Sequence, residues 1–386
     1  MKRNMKHMLY HLEDIEKIRD YEQQAQNLGI KVFDISHWDS GNNYKKLLLS
    51  TIHIDNSFQP CDYIYSYVLD EITHLNVQKH LIGTCENSCS IFFANSTISI
   101  VNICNYLQKN NLRKICLIQP SYFTVVPCMN AFGLKVDELS LSYSDGKYII
   151  PLEQILCRGC DAVWITSPVF CTSTYFCQQE INKIQFLLDQ GIYVICDESL
   201  SLKELSVRRE LTNTDKLFSI FSPHKVISTN AFKFSCVICH VRNEKFFDQW
   251  VDIFSGGLMN SSKLAITHFL SVNYSKCVDV YKNYTSDMKE TIVNFLSTSM
   301  GSDIEISHEI GQYMTLYLRN VPYRETIESH FMKKTILSTG VSLLPGYLED
   351  FFEELGFCFR INLTLDKTML LTSLNRVIKY LKEIYS

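Results

Sequence analysis

Between about Ser90 and His240, short apolar runs alternate with longer stretches in which apolar residues recur at helical spacing. Ile91-Phe92-Phe93, Ile115–Ile118, Ala162–Ile165, Tyr193–Cys196, Phe218–Phe221 and Cys236–Cys239 are the short runs. None shows the clean apolar–polar alternation of a strand with one wet face, as expected for strands buried on both faces. Ile98–Leu107, Val125–Phe132 and Gln178–Gln190 read as the intervening helices. Alternation of this kind predicts an α/β fold, a mostly parallel sheet with helices on both sides.

The pattern changes near Ser255-Gly256-Gly257. A long helical stretch runs from about Ser262 towards Ser297. It is followed by a strand at Tyr313–Leu318, a helix at Thr326–Lys334, a strand at Phe357–Leu363 and a last helix from about Lys367 to Ile384. This reads as a smaller α+β domain. The predicted organisation is an N-terminal segment, 1–50, joining the small domain, a large domain over 51–258, and the small domain proper over 259–386.

The 386 residues correspond to roughly two to three domains by length. A hydrophobic content of 46% is enough for a sizeable core. A net charge of -4 argues against a general nucleic-acid or anionic-membrane binder. No apolar run reaches the roughly 18 residues of a membrane helix. The basic start, Met1 to His7, is followed by Glu13, Asp14 and Glu16 in place of an apolar core, so no signal peptide is expected. The 15 cysteines are then best read as reduced thiols of a cytoplasmic protein. Several, such as Cys116, Cys196 and Cys236, lie inside apolar runs as small buried hydrophobes.

Ligands of parallel sheets bind beyond the carboxyl ends of the strands. Asn95, Tyr122, Ser167, Asp197 and Lys225 all fall just after predicted strands, on that one edge. Lys225 closes Ser222-Pro223-His224-Lys225, and Asp197 ends Val194-Ile195-Cys196-Asp197. A lysine and an aspartate so placed are what pyridoxal 5′-phosphate (PLP) chemistry needs. The amine forms a Schiff base with the cofactor, and the carboxylate keeps the pyridine nitrogen protonated so that the ring can act as an electron sink.

In the order and spacing of these residues the chain resembles the fold-type I PLP-dependent enzymes, in particular the class I/II aminotransferases, from about Phe33 to the end. The resemblance implies that Lys225 carries the cofactor and that Asp197 pairs with its ring nitrogen. It assigns the phosphate to the turn Asn95-Ser96-Thr97, to Ser222 and to Lys233, which stands where the family has an arginine. Tyr122 takes the place of the aromatic that stacks on the ring. Arg360, the only charged residue in an apolar strand, matches the arginine that grips the substrate α-carboxylate bidentately. Tyr63 corresponds to a tyrosine that reaches the neighbouring subunit's phosphate. Trp38 falls in a segment that edges the substrate pocket, where a packed core tryptophan is the other reading.

Departures are equally visible. Asn95 replaces the usual glycine, as a residue that tolerates strained turns. Phe170 and Leu200 stand where the family has an asparagine and a tyrosine on the cofactor's phenolic oxygen. Plain alternatives stay open: a helix cap for Asn95, a core acceptor for Asp197, and a surface-strand arginine paired with Glu353 or Glu354 for Arg360. Cys236-Val237-Ile238-Cys239-His240 fits a haem-attachment pattern but lies in a predicted buried strand, where residues three apart face opposite sides, and Cys157-Arg158-Gly159-Cys160 is a zinc half-site with no ordered four-ligand spacing to complete it.

The expected function is amino-group transfer from an α-amino acid to a 2-oxo acid through an external aldimine. A PLP-dependent lyase or cyclase and a non-catalytic relative are the alternatives. A homodimer is implied by the resemblance alone.

Overall fold

The computed structural model describes residues 6–51, 78–81, 87–226, 233–255, 266, 274–300, 304–306, 311–318, 331–346 and 357–385. The chain divides into two compact units. One comprises Leu48–Phe170 and Thr174–Tyr281, the other Met1–Leu47, Cys171–Ser173 and Lys282–Ser386.

The first unit is built on seven strands: β1 (Ser88–Phe93), β2 (Lys114–Gln119), β3 (Lys135–Ser140), β4 (Ala162–Thr166), β5 (Tyr193–Asp197), β6 (Leu217–Phe221) and β7 (Ser235–His240). Their order across the sheet is β1-β7-β6-β5-β4-β2-β3. The pairings from β6 to β3 are parallel, and β7 runs antiparallel to both of its neighbours. The expected mostly parallel α/β sheet is therefore present, and so are all six predicted strands. Every residue of β6 is buried, as are all but the first of β1, β2 and β5. These strands show no alternation because helices cover both faces.

β3 is the strand that the sequence pattern does not reveal. Lys135, Asp137, Glu138 and Ser140 are exposed and only Leu139 is buried. It is an edge strand, and its charges guard the open edge against further pairing. The hairpin Ser142–Ser144/Lys147–Ile149 was also missed, although Asp145-Gly146 is a hairpin signal. Both turn residues have positive φ, 52° and 76°, as a two-residue type I′ turn demands.

Helix α1 (Ser96–Lys109) lays Ile100, Ile103, Cys104 and Leu107 on the sheet against Ile91, Phe93, Ile220 and Val237. Helix Glu244–Ser255 adds Phe247 and Val251 to the same core. This packing fixes the amino end of α1 at the carboxyl end of β1.

The second unit has a four-stranded antiparallel sheet of Ile304–Ile306, Tyr313–Leu318, Phe357–Asn362 and Leu344–Pro345, in that order. Phe33–Asp34 pairs in parallel with Val341–Ser342. Helices Lys6–Asn27, Phe331–Thr339 and Lys367–Tyr385 contribute to its core, with Ile336, Leu370, Leu374 and Val377 fully buried. The long predicted helix is seen as Tyr274–Met300 and the shorter one as Phe331–Thr339. The remainder of both predicted spans lies almost wholly outside the described residues. No described helix is long and apolar enough to cross a membrane.

Candidate active site

In the first unit the carboxyl ends of β1, β2, β4, β5 and β6 bring the predicted cofactor residues onto one edge. Lys225 lies in the four-residue helix Pro223–Val226 that follows β6. Its Nζ donates to Ser96 Oγ at 2.9 Å, at the amino end of α1, and lies 5.2 Å from the centroid of the Tyr122 ring. Burial lowers the Lys225 pKa below the ordinary 10.5. The Asp197 charge opposes that shift, and the nearby Lys233 charge adds to it. A lysine whose amine is more readily neutral is a better nucleophile.

Asp197 ends β5 and is buried. Its Oδ1 accepts the backbone N–H of Ser199 at 3.1 Å. The Ser167 N–H donates to the Asp197 carbonyl at 2.9 Å, which ties the ends of β4 and β5 together. Ser167 Oγ is buried and finds no hydrogen-bond partner among the described residues. The Tyr122 hydroxyl is hydrogen-bonded to the Thr97 side chain, and burial raises its pKa. His224 is pushed down to about 3, by burial first and then by Lys225. It is therefore a neutral ring, and its Nδ1 lies 2.7 Å from the Phe234 carbonyl.

Asn95 is not in a strained turn. Its φ of -168° is extended, and its Oδ1 accepts the Ile98 N–H at 3.0 Å as the N-cap of α1. This corrects the glycine-like reading. The amide–side-chain bond satisfies one of the orphan donors of the first turn. The remaining donors of that turn and the positive end of the helix dipole suit an anion. Lys233 is exposed and is close enough to depress both the His224 and Lys225 pKa values. Phe170 is buried, with its ring 6.0 Å from that of Tyr122. Tyr63 lies outside the described residues.

In the second unit Arg360 lies on the central strand Phe357–Asn362, opposite Thr315 and Leu344, and is buried. This excludes the surface-strand reading. Nε and Nη2 both donate to the Ser36 carbonyl, at 3.2 and 3.0 Å, and Nη1 lies 2.9 Å from Cys171 Sγ. The guanidinium carbon is 4.2 Å from the Trp38 centroid and 4.7 Å from that of Tyr313. The two rings meet edge to face at 5.2 Å. Asp34 lies within electrostatic reach of Arg360, and burial raises its pKa. Trp38 is exposed and packs one face of its ring on the arginine, so it is not a core tryptophan.

Sequence reasoning missed Tyr313, Ser36 and Cys171, which hold Arg360. It also missed Ser99, Ser199 and Ser235, which form a hydroxyl chain with Ser222. Ser36 lies two residues before Trp38 and Cys171 directly follows Phe170, whereas lone serines carry no sequence signal. Among the described residues no group of His, Cys, Asp or Glu could hold a metal ion. Cys157 is exposed while Cys160 is buried.

The fit to PLP is close: a partly buried amine at a helix amino terminus, an aromatic face beside it and a buried carboxylate on the next strand end. No protein-family model and no curated protein sequence matches the chain. Solved structures do. Bna3p, a putative kynurenine aminotransferase from Saccharomyces cerevisiae, matches with a TM-score of 0.75 at 12% identity, over 96% of this chain and 95% of that one. YbdL from Escherichia coli, reported with a methionine aminotransferase function, matches at 0.73 and 14%, over 94% and 96%. A PLP-bound C–S lyase from Staphylococcus hominis matches at 0.71 and 14%, over 91% and 89%. At such identities the likeness is one of fold. The chain has the fold of the fold-type I PLP-dependent enzymes.

Proposed function

We propose that this protein is a PLP-dependent enzyme that transfers the amino group of an α-amino acid to a 2-oxo acid. The observation that carries the reading is the Lys225 amine, held by Ser96 at the amino end of α1 and faced by the Tyr122 ring. Asp197 would hold the ring nitrogen. The first turn of α1 with Ser96 and Thr97, together with Ser222 and Lys233, would hold the phosphate, and Tyr122 would cover one face of the ring. When bound, the cofactor supplies an electron sink for the bonds of the substrate's α-carbon. Lys225, with its lowered affinity for protons, is the group that takes the α-proton and returns it. Arg360, planar and pinned by Ser36 and two rings, is the proposed ligand of the α-carboxylate. A homodimer with Tyr63 donated across its interface, in a cytoplasmic setting, completes the proposal.

An absorbance scan of the purified protein with PLP tests it. A band near about 400 nm is expected from a lysine-bound cofactor, and Lys225→Ala abolishes it. Wild-type protein with no such band refutes the reading.

Phe170 and Leu200 favour a second reading. Neither side chain can donate a hydrogen bond to the cofactor's phenolic oxygen. A changed environment there suits elimination or cyclisation, the chemistry of a lyase. Amino transfer that depends on added 2-oxo acid separates the first reading from release of ammonia or a thiol. Cofactor binding with no turnover of any amino acid would mark a non-catalytic relative.

A further inference from the structure

Four buried serines form a continuous hydroxyl chain. Ser99 Oγ donates to Ser235 Oγ at 2.9 Å, and Ser235 Oγ donates to the Phe221 carbonyl at 3.0 Å. Ser222 Oγ lies 3.3 Å from Ser235 Oγ and 3.4 Å from Ser199 Oγ. A hydroxyl has one proton to give and two lone pairs to receive. The Ser99 proton is committed to Ser235, and the Ser235 proton to the carbonyl. Ser222 has one proton and two long contacts to share it between, so among the described residues the Ser222 and Ser199 protons are the two in the chain without a single fixed acceptor. Ser199 is also the most exposed of the four, at 7% against 1% for Ser222 and 0% for Ser99 and Ser235. Its backbone is fixed by the N–H bond to Asp197 Oδ1.

We infer that Ser199 is a further anchor for the cofactor phosphate, acting with Ser222 as a pair of hydroxyl donors. The inference rests on the PLP reading above. Lys233 stands where the resemblance calls for an arginine, and a lysine offers a point charge without the two parallel donors of a guanidinium. Ser222 and Ser199, 3.4 Å apart, supply two donors side by side. Ser235 and Ser99 orient the pair from beneath, on β7 and α1.

The test compares PLP with pyridoxal, which lacks the phosphate, in titrations of the cofactor-free protein followed by absorbance or tryptophan fluorescence. Ser199→Ala is expected to weaken PLP about ten-fold, the worth of one hydrogen bond to a charged group, and to leave pyridoxal unchanged. Ser199→Thr, which keeps the hydroxyl, is expected to stay within about two-fold of wild type. Wild-type PLP affinity in Ser199→Ala, or an equal loss for both ligands, overturns the inference. Wild-type protein that binds neither ligand overturns the cofactor reading, and this inference with it.

Discussion

Replacing Arg360 by lysine keeps the charge and removes the fork. Three donors of the guanidinium are already engaged: Nε and Nη2 on the Ser36 carbonyl, and Nη1 on Cys171 Sγ. Trp38 and Tyr313 lie within 4.2 and 4.7 Å of its carbon and hold the plane in one orientation. An ammonium on a flexible stem cannot meet Ser36, Cys171 and two carboxylate oxygens at once. Losing one of two charge-assisted bonds to the substrate costs about 1.5–3 kcal/mol, or roughly 10- to 100-fold in reactivity. Arg360→Met loses both, and about 100- to 10,000-fold is expected. The assay is single-turnover decay of the cofactor band on mixing with amino acids, with the corresponding amines lacking a carboxylate as controls. Amines should react equally with wild type and both variants, and PLP affinity should not move. Arg360→Met within three-fold of wild type for amino acids, or an equal loss for amines, would refute the role given to Arg360.

Two further predictions concern the scaffold. Glu198 is fully buried, and burial lifts its pKa from 4.5 to about 7 against the pull of Ser206, the Val207 N–H and Arg208. The folded protein then binds this proton more tightly than the unfolded chain, so stability present below 4.5 is lost as pH rises through 7, by up to about 3 kcal/mol. Glu198→Gln should abolish that slope and exceed wild type above pH 7. Thermal melts that run parallel from pH 5 to 8 would count against it. At Gly311 a Cβ would collide with Ser173 Oγ and Cβ, while Ser173 is held by a 2.7 Å bond to the Tyr313 carbonyl. Gly311→Ala should cost about 3 kcal/mol by overpacking. Ser173→Gly, acceptable where φ is +57°, should restore most of it. A Gly311→Ala protein as stable as wild type in denaturant melts would show that the loop yields freely.

The large sheet was legible because its strands are buried on both faces, which leaves bare apolar runs such as Ile115–Ile118 and Ala162–Ile165. β3 was not, because an edge strand with exposed Lys135, Asp137 and Glu138 resembles a loop. Lys225, Asp197 and Tyr122 were legible because each follows such a run, where parallel sheets bind ligands. Asn95 was found for the right place and the wrong conformation, since a cap and a strained turn share the same residue preferences.

By itself the sequence determined the periodicity, hence the α/β sheet, and the chemical types at the strand ends, hence the candidate cofactor. These are local: each depends on a residue and its near neighbours. Only the tertiary structure decided what surrounds them. Ser235 meets Ser99 and Ser222 because β7 runs antiparallel between β1 and β6, a register that no local signal encodes. Arg360 meets Ser36, Trp38 and Tyr313 because one antiparallel sheet and its neighbouring segment join residues more than 40 and more than 300 positions apart. Burial, which lowers the Lys225 pKa and raises that of Glu198, is likewise a property of the packed chain and of no residue alone.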